Sequence, residues 1–321
     1  MNEKKKPILG QEAVTDARTL GTPRMLILGL QHLFAMFGAT VLVPILVTKY
    51  GLPLSIQTTL LFAGLGTLLF HLCTKLKVPA FLGSSFAFLG GFEAVASLDV
   101  GKFAGMSGEE KLPYALGGVV VAGLLYLVLA LLFKVLGAKT VMRYFPPIVT
   151  GPMIIMIGLN LSGSAINNAS TCWWLALVAI AIIVVANIWG KGMVKILPIL
   201  IGVLVSYAVA LVTGAVDFQR ISEAAWVGIP LHKEAMGLFA IDGSPEFISA
   251  LFTIIPIALA TMMEHVGDIA AISATTGRNY IRDPGLNRTL MGDGLATAMA
   301  GLLGGPANTT YGENTGVLAL T

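Results

Sequence analysis

Charge is scarce in this sequence. Of 321 residues, Lys and Arg supply 20 and Asp and Glu 17, together 12%, about half the roughly 25% usual in soluble domains. A soluble fold of this length could not hide so much apolar surface, so a soluble enzyme is excluded. The net charge of +3 is too small to argue for nucleic acid, and none is expected as a partner. Cysteine is scarcer still. Cys73 and Cys172 lie in separate apolar stretches, which excludes a disulfide framework and a thiolate metal site alike; both read as small packing residues. No cofactor and no metal is expected. What the sequence does have is 56% hydrophobic residues, a mean hydropathy of +0.84 and 37 glycines, a residue that lets helices in a bilayer approach closely.

The apolar residues come in runs of membrane length. A bilayer core takes about 20 predominantly apolar residues per helix. Met25–Val47 is 23 residues without a formal charge, too long for a signal peptide's apolar core and so read as a retained helix. Further spans are expected at Ile56–Leu72, Pro79–Leu98, Tyr114–Phe133, Tyr144–Leu161, Trp173–Trp189, Ile196–Val216, Phe247–Ala271 and Leu286–Leu303. A tenth begins near Pro306 and is unfinished at Thr321.

The loops test that count. With the N-terminus in the cytoplasm, Lys4, Lys5, Lys6, Arg18, Arg24, Lys75, Lys77, Lys134, Lys139, Arg143, Lys191, Lys195, Arg278, Arg282 and Arg288 face inward, 15 of the 20 basic residues. Lys49, Lys102, Lys111, Arg220 and Lys233 face outward. Basic residues accumulate on the cytoplasmic side, and a wrong count would scramble this alternation. The outer loops are instead acidic, with Asp99, Glu109, Glu110, Asp217, Glu223, Glu234, Asp242 and Glu246. The expectation is a multi-pass protein of the cell membrane, with the lipid bilayer as partner.

Five acids fall inside the spans: Glu93, Glu264, Asp268, Asp293 and Glu313. A charged side chain at mid-membrane costs about 2.5–3.5 kcal/mol on insertion scales and normally faces the bundle interior or an aqueous path. Glu93 and Asp293 have no polar cluster near them in sequence and read as packing or snorkelling groups. Glu264, Asp268 and Glu313 stand beside polar motifs and read as an ion or substrate path. Glu264 and Asp268 are four residues apart, hence on one helical face. Two carboxylates so placed cannot both ionise cheaply, so one is expected to hold a proton near neutral pH. His32 and His265 read as hydrogen-bonding to neighbouring helices, and His71 and His232 as facing solvent.

Two spans do not read as continuous helices. Pro79-Ala-Phe-Leu-Gly-Ser-Ser-Phe-Ala-Phe88 and Gly304-Gly-Pro-Ala-Asn-Thr-Thr-Tyr-Gly-Glu-Asn314 each run Pro-Ala, two hydroxyl residues, an aromatic: Ser84-Ser85-Phe86 and Thr309-Thr310-Tyr311. Short β-prone pieces at that depth survive only inside protein or beside a cavity, and paired interrupted segments in two halves of a chain point to a transporter binding site. Gln31-His32 and Glu264-His265 are separated by 264 − 31 = 233 residues, and the hydroxyl pairs by 309 − 84 = 225. Such similar offsets suggest one duplicated unit of seven spans. Seven is odd, so the second copy starts inverted.

At these residues the sequence resembles the nucleobase–ascorbate transporters, also called nucleobase:cation symporters, and within them the bacterial uracil permeases. The resemblance rests on Gln31-His-Leu-Phe-Ala-Met-Phe-Gly-Ala-Thr40, Pro79–Phe88, Glu264-His-Val-Gly267, Arg282-Asp-Pro-Gly285 and Asn308-Thr-Thr-Tyr-Gly-Glu-Asn314. The family signature reads here as Glu313, Asn314, Gly316 and Thr321. The resemblance implies an all-α polytopic fold, an inverted seven-helix repeat with two interrupted helices carrying short β-strands. The second repeat is expected to be incomplete here, truncated on its C-terminal side. A cytoplasmic tail would span 1–23. Residues 24–134 would form the core domain of the first repeat, 135–216 its gate domain and 217–246 an external loop. The truncated core of the second repeat would be 247–321. A homodimer is compatible with the resemblance.

The implied activity is proton-coupled import of uracil. The resemblance places Glu264 as acceptor of the base N–H groups, the backbone N–H groups of Phe86, Gly312 and Glu313 facing the base, and Phe86, Tyr311 and Ala39 along its flat slot. Glu264, Asp268 and Glu313 are the expected proton-coupling groups. Asp268 also resembles purine (xanthine or uric acid) carriers, which keeps a purine symporter as the alternative. An intramembrane enzyme is remote, because His32, Glu264, His265 and Asp268 lack metal-ligand spacing and no activated Ser or Cys accompanies them.

The topology is testable. With Cys73 and Cys172 first replaced by Ala, an impermeant thiol reagent applied to intact cells should modify a Glu234→Cys variant and spare Lys191→Cys. Labelling at position 191 from outside would overturn the span count.

Overall fold

The computed structural model describes residues 17–141, 143, 147–191, 194, 198–216, 218 and 227–320. The protein is mostly helical, in this order: α1 (Thr22–Lys49), α2 (Ile56–Cys73), β1 (Leu82–Ser84), α3 (Leu89–Ala96), α4 (Gly108–Leu136), α5 (Pro147–Ser170), α6 (Trp173–Trp189), α7 (Pro198–Val212), α8 (Pro245–Thr276), α9 (Leu286–Leu302), β2 (Asn308–Thr310) and α10 (Gly312–Leu320). Local chemistry sets several ends. The Ser55 hydroxyl caps α2 by accepting from the Thr58 N–H at 3.2 Å. Ser107 and Glu110 form a reciprocal capping box at the start of α4, satisfying two of the orphan donors there. Ser244 caps α8 through the Phe247 N–H at 3.1 Å, and Gly277, left-handed at φ 69°, ends it.

Among the described residues four helices are long and apolar enough to cross a membrane: α1, α2, α4 and α8. α6 and α7 are apolar but shorter. The interruptions expected at Pro79–Leu98 and near Pro306 are present: β1 followed by α3, whose eight residues rise only about 12 Å, and β2 followed by α10, which starts at Gly312. Pro79 and Gly83, and Pro306 after the Gly304-Gly305 pair, deny a continuous helix its hydrogen bonds there.

β1 and β2 pair antiparallel in the register Leu82 to Thr310, Gly83 to Thr309 and Ser84 to Asn308, and all six residues are buried. A two-stranded ribbon has two outer edges, and no water reaches them here. Threonines from the flanking helices occupy both. On α2, Thr67 Oγ1 accepts from the Leu82 N–H at 3.0 Å, and its one proton is shared between the Ala63 carbonyl of its own helix at 2.7 Å and the Leu82 carbonyl at 3.1 Å. On α9, Thr297 Oγ1 accepts from the Asn308 N–H at 3.2 Å and donates to the Asn308 carbonyl at 3.0 Å. Each hydroxyl thus reaches both main-chain groups of one edge residue.

Around this ribbon α9 packs against α4 and α2, and α8 against α4. The α4–α9 crossing is close because glycines face it. A Cβ on Gly123 would stand 2.6 Å from the Gly294 carbonyl, and one on Gly294 2.6 Å from the Gly123 carbonyl. α6 and α7 pack on each other and touch the rest lightly, α7 against α1. Their outer side chains, including Trp173, Leu177, Ile180 and Leu204, are exposed, as expected of a surface that meets lipid.

Thr67→Val and Thr297→Val keep the side-chain shape and strand a main-chain donor and acceptor. Each should lower stability by about 1–3 kcal/mol. Thermal unfolding in detergent measures it; an unchanged midpoint in both variants would mean that the ribbon edges do not need the hydroxyls.

Candidate functional site

The two strand ends, α8 and the start of α10 converge on one cavity of about 210 Å³, walled by Phe86, Glu264, Asp268 and the run Thr309–Glu313. This is small beside pockets for drug-sized ligands and suits a single small ring. A larger groove, about 420 Å³, lies on α7 between Leu204 and Thr213. It is almost wholly apolar, and its one hydroxyl, on Thr213, is already bonded to the Val209 carbonyl at 3.0 Å; it offers a ligand no polar recognition.

Each wall has a reason to be where it is. Glu264 and Asp268 sit one turn apart on α8, so both reach the cavity. Asp268 Oδ2 accepts the Thr310 hydroxyl at 2.5 Å, which pins that carboxylate to β2. Glu264 is different: its Oε2 is buried with no hydrogen-bond partner among the described residues. A buried acceptor left open costs about 1–3 kcal/mol, so this oxygen favours any donor that enters. On the facing side α10 starts at Gly312. The first N–H groups of a helix have no partner within it and carry partial positive charge, and here they border the cavity at Gly312 and Glu313. Among the described residues no group outside its own helix and chain neighbours lies within 4 Å of the place a Gly312 Cβ would take, so the backbone is open to an approaching ligand. Glu313 itself is exposed.

Tyr311 is locked in place. Its N–H donates to the Phe81 carbonyl at 3.0 Å, and its hydroxyl donates to the Ser84 carbonyl at 2.9 Å and accepts from Thr40 at 3.2 Å. The ring occupies the space beside Gly83, where a Cβ would come within 2.3 Å of it. Gly83 is therefore required by Tyr311. Ala39 packs with Met36, Ala63 and Phe81 against Tyr311. It backs the aromatic ring and is not one of the cavity walls.

The structure thus brings together Glu264, Asp268, Phe86, Tyr311, Gly312 and Glu313, and leaves Ala39 one layer out. Thr309 and Thr310 join the walls; the hydroxyl pair was visible in the sequence as a marker of the interruption, and its role at the carboxylate needed the strand register. Other residues also find their places. The His32 ring nitrogen Nδ1 and its carbonyl both meet the Asn314 amide, at 3.1 and 3.0 Å, tying α1 to α10. His265 Nδ1 stands 2.7 Å from Asp293 Oδ2 with both side chains fully buried. Asp293, which read as a packing or snorkelling group, is paired in the core. His71 is half-buried rather than solvent-facing, its ring held at 2.8 Å on the Thr67 carbonyl, whereas His232 and Glu93 are exposed. Cys73 and Cys172 are free thiols. Among the described residues no three His, Cys, Asp or Glu side chains gather as a metal ion would need.

The arrangement can bind a small planar molecule with ring N–H donors on one edge and carbonyl acceptors on another. Residues 23–321 match the model of the permease family Xan_ur_permease. The protein is 42% identical to the uracil permease of Bacillus caldolyticus, over 98% of its own length and 70% of that protein's. It is 41% identical to the uracil permease of Bacillus subtilis, over 91% of its length and 66% of the relative's. Against the uracil permease of Escherichia coli K12 the identity is 38%, over 92% and 65%. The sequence therefore spans about two thirds of the length of these curated relatives. With these matches and its long apolar helices, this is a multi-pass membrane protein that belongs to the permease family of the nucleobase–ascorbate transporters.

Proposed function

We propose that the protein imports uracil across the cytoplasmic membrane by proton symport. One observation carries the reading: Glu264 Oε2, a buried acceptor without a partner among the described residues, faces a cavity whose other wall is the start of α10. Uracil has two ring N–H donors and two carbonyl acceptors on a flat ring. Glu264 takes the N–H groups, and the N–H groups of Gly312 and Glu313 take a carbonyl. Phe86 and Tyr311 bound the slot in which the ring lies. The names of the relatives, uracil permeases from three bacteria, support the same substrate.

Coupling to protons follows from the pair on α8. Glu264 and Asp268 line one cavity, and two carboxylates in a low-dielectric site favour holding at least one proton between them. The base and a proton load together from outside and leave together on the cytoplasmic side, so the proton's downhill movement makes transport concentrative. Glu313 at the cavity rim is the third acid of the path.

The wider architecture belongs to the same proposal: two inverted repeats, residues 24–134 and 247–321 as core, 135–216 as gate, 217–246 external and the N-terminus cytoplasmic. The matched roles of Thr67 beside β1 and Thr297 beside β2 support the repeat. The light packing of α6 and α7 on the remaining helices supports a gate that moves against a core.

Glu264→Gln should weaken uracil binding at least tenfold, about 1.4 kcal/mol or more, by calorimetry on purified protein. Near-unchanged affinity would remove Glu264 from the site. Competition by unlabelled xanthine stronger than by uracil would transfer the reading to a purine substrate.

Coupling has its own test. Uptake by cells expressing the protein should rise as external pH falls and collapse with a protonophore. Asp268→Asn should still exchange labelled for unlabelled uracil, since exchange needs only the loaded carrier to reorient, while losing net accumulation. If that variant accumulates uracil with an unchanged pH profile, Asp268 has no coupling role and Glu313 takes its place.

A further inference from the structure

Beside the cavity, about a quarter-turn around α8 from Glu264, lies a second polar pair that is closed off from solvent. His265 of α8 and Asp293 of α9 approach to 2.7 Å, each side chain 0% exposed. The approach is bent rather than linear, and among the described residues neither ring nitrogen nor either carboxylate oxygen has a well-formed hydrogen bond. The edge of the imidazole is closed off by the Phe70 ring from α2, 6.4 Å away between centroids and steeply inclined. From α4 comes Tyr126, fully buried, its hydroxyl beside Thr261. Thr261 of α8 donates its hydroxyl to the Ala258 carbonyl at 3.1 Å. The other titratable groups facing this junction are Glu264 and Asp268, turned toward the cavity on α8 itself, and Glu313 beyond them on α10. α2 and α4 contribute no formal charge to it.

An ionised Asp293 in such a place would be an uncompensated charge, and among the described residues His265 is the group in contact that can balance it. One proton held between imidazole and carboxylate makes the pair neutral overall. The pair also has a mechanical consequence. Successive helical residues are about 100° apart, so a His265 fixed toward α9 and α4 turns its neighbour Glu264, and Asp268 one turn on, toward the cavity.

We propose that His265 and Asp293 share one proton as a sealed, charge-neutral pair that fixes the rotation of α8 and so positions Glu264 and Asp268 in the site. They are positioning residues, and they keep their proton while the cavity acids exchange theirs. The positioning half rests on the reading of Glu264 as the substrate acceptor; the sealed pair does not.

Imidazole ¹⁵N spectra of the histidine-labelled protein in nanodiscs test the pair without any ligand. The protein has four histidines. The expected result is that one imidazole keeps its signals unchanged between about pH 5 and 9, while an ordinary imidazole titrates near 6.5. His32→Gln, His71→Gln and His232→Gln each remove one of the other signals, which assigns the invariant one to His265 without disturbing the core pair. Titration of all four overturns the sealed pair. Uracil affinity then tests positioning. His265→Asn, which keeps a polar group where Nδ1 stands, and Asp293→Asn should each weaken binding at least tenfold. The double variant, neutral and able to form an amide–amide hydrogen bond, should return to within about threefold of the parent. A double variant as weak as the two losses multiplied overturns the positioning role. Glu264→Gln with parental affinity would sink the substrate reading and leave the imidazole result standing, so the two failures are told apart.

Discussion

A polypeptide inside a bilayer must satisfy every main-chain N–H and C=O from within, and the rest of this structure is arranged around the two places where a helix stops doing so. Each interruption leaves a three-residue strand at depth. The two strands satisfy each other on their inner edges, and Thr67 and Thr297 satisfy the outer ones. Once that is done, α10 can begin beside the cavity. Its first N–H groups, at Gly312 and Glu313, border that space, which creates recognition for carbonyl groups without adding a cation.

Against those donors α8 sets two carboxylates in different states of engagement. Asp268 is committed to Thr310, and Glu264 keeps an open oxygen. The asymmetry matters because an unsatisfied buried acceptor makes the empty site the less stable one and rewards a ligand that donates. Tyr311 carries the two halves of the sequence together. Its hydroxyl is bonded to Ser84 and Thr40, and its ring rests where Gly83 lacks a side chain. The base, in the proposed function, lies between contributions from both halves, so moving either half against the remainder changes the site's access.

Much of this was legible in the residues. The apolar runs gave α1, α2, α4 and α8 within a few residues, because an uninterrupted stretch of apolar side chains leaves a helix as the one way to satisfy its backbone. Pro79, Gly83 and Pro306 announced the interruptions, since they remove the donors or add the freedom that a helix cannot tolerate. Glu264 and Asp268 stood out through their i, i+4 spacing. What could not be read depended on contacts between helices distant in sequence. Asp293 lacks polar neighbours in sequence and finds His265 only when α9 packs on α8. His71 curls back onto its own helix at Thr67. Ala39, placed on the slot by resemblance, packs against the cluster of Met36, Ala63 and Tyr311, a contact between helices that the sequence alone does not encode. Thr310 becomes a partner of Asp268 through a strand register that no helical periodicity encodes.

The most direct measurement is a structure of the protein with uracil bound. The account predicts the base in the cavity between Phe86 and Tyr311, a Glu264 oxygen about 2.7–3.2 Å from a ring N–H, and a carbonyl on the N–H groups of Gly312 and Glu313. Uracil seated elsewhere, or in the cavity with Glu264 turned away from its ring nitrogens, would contradict it.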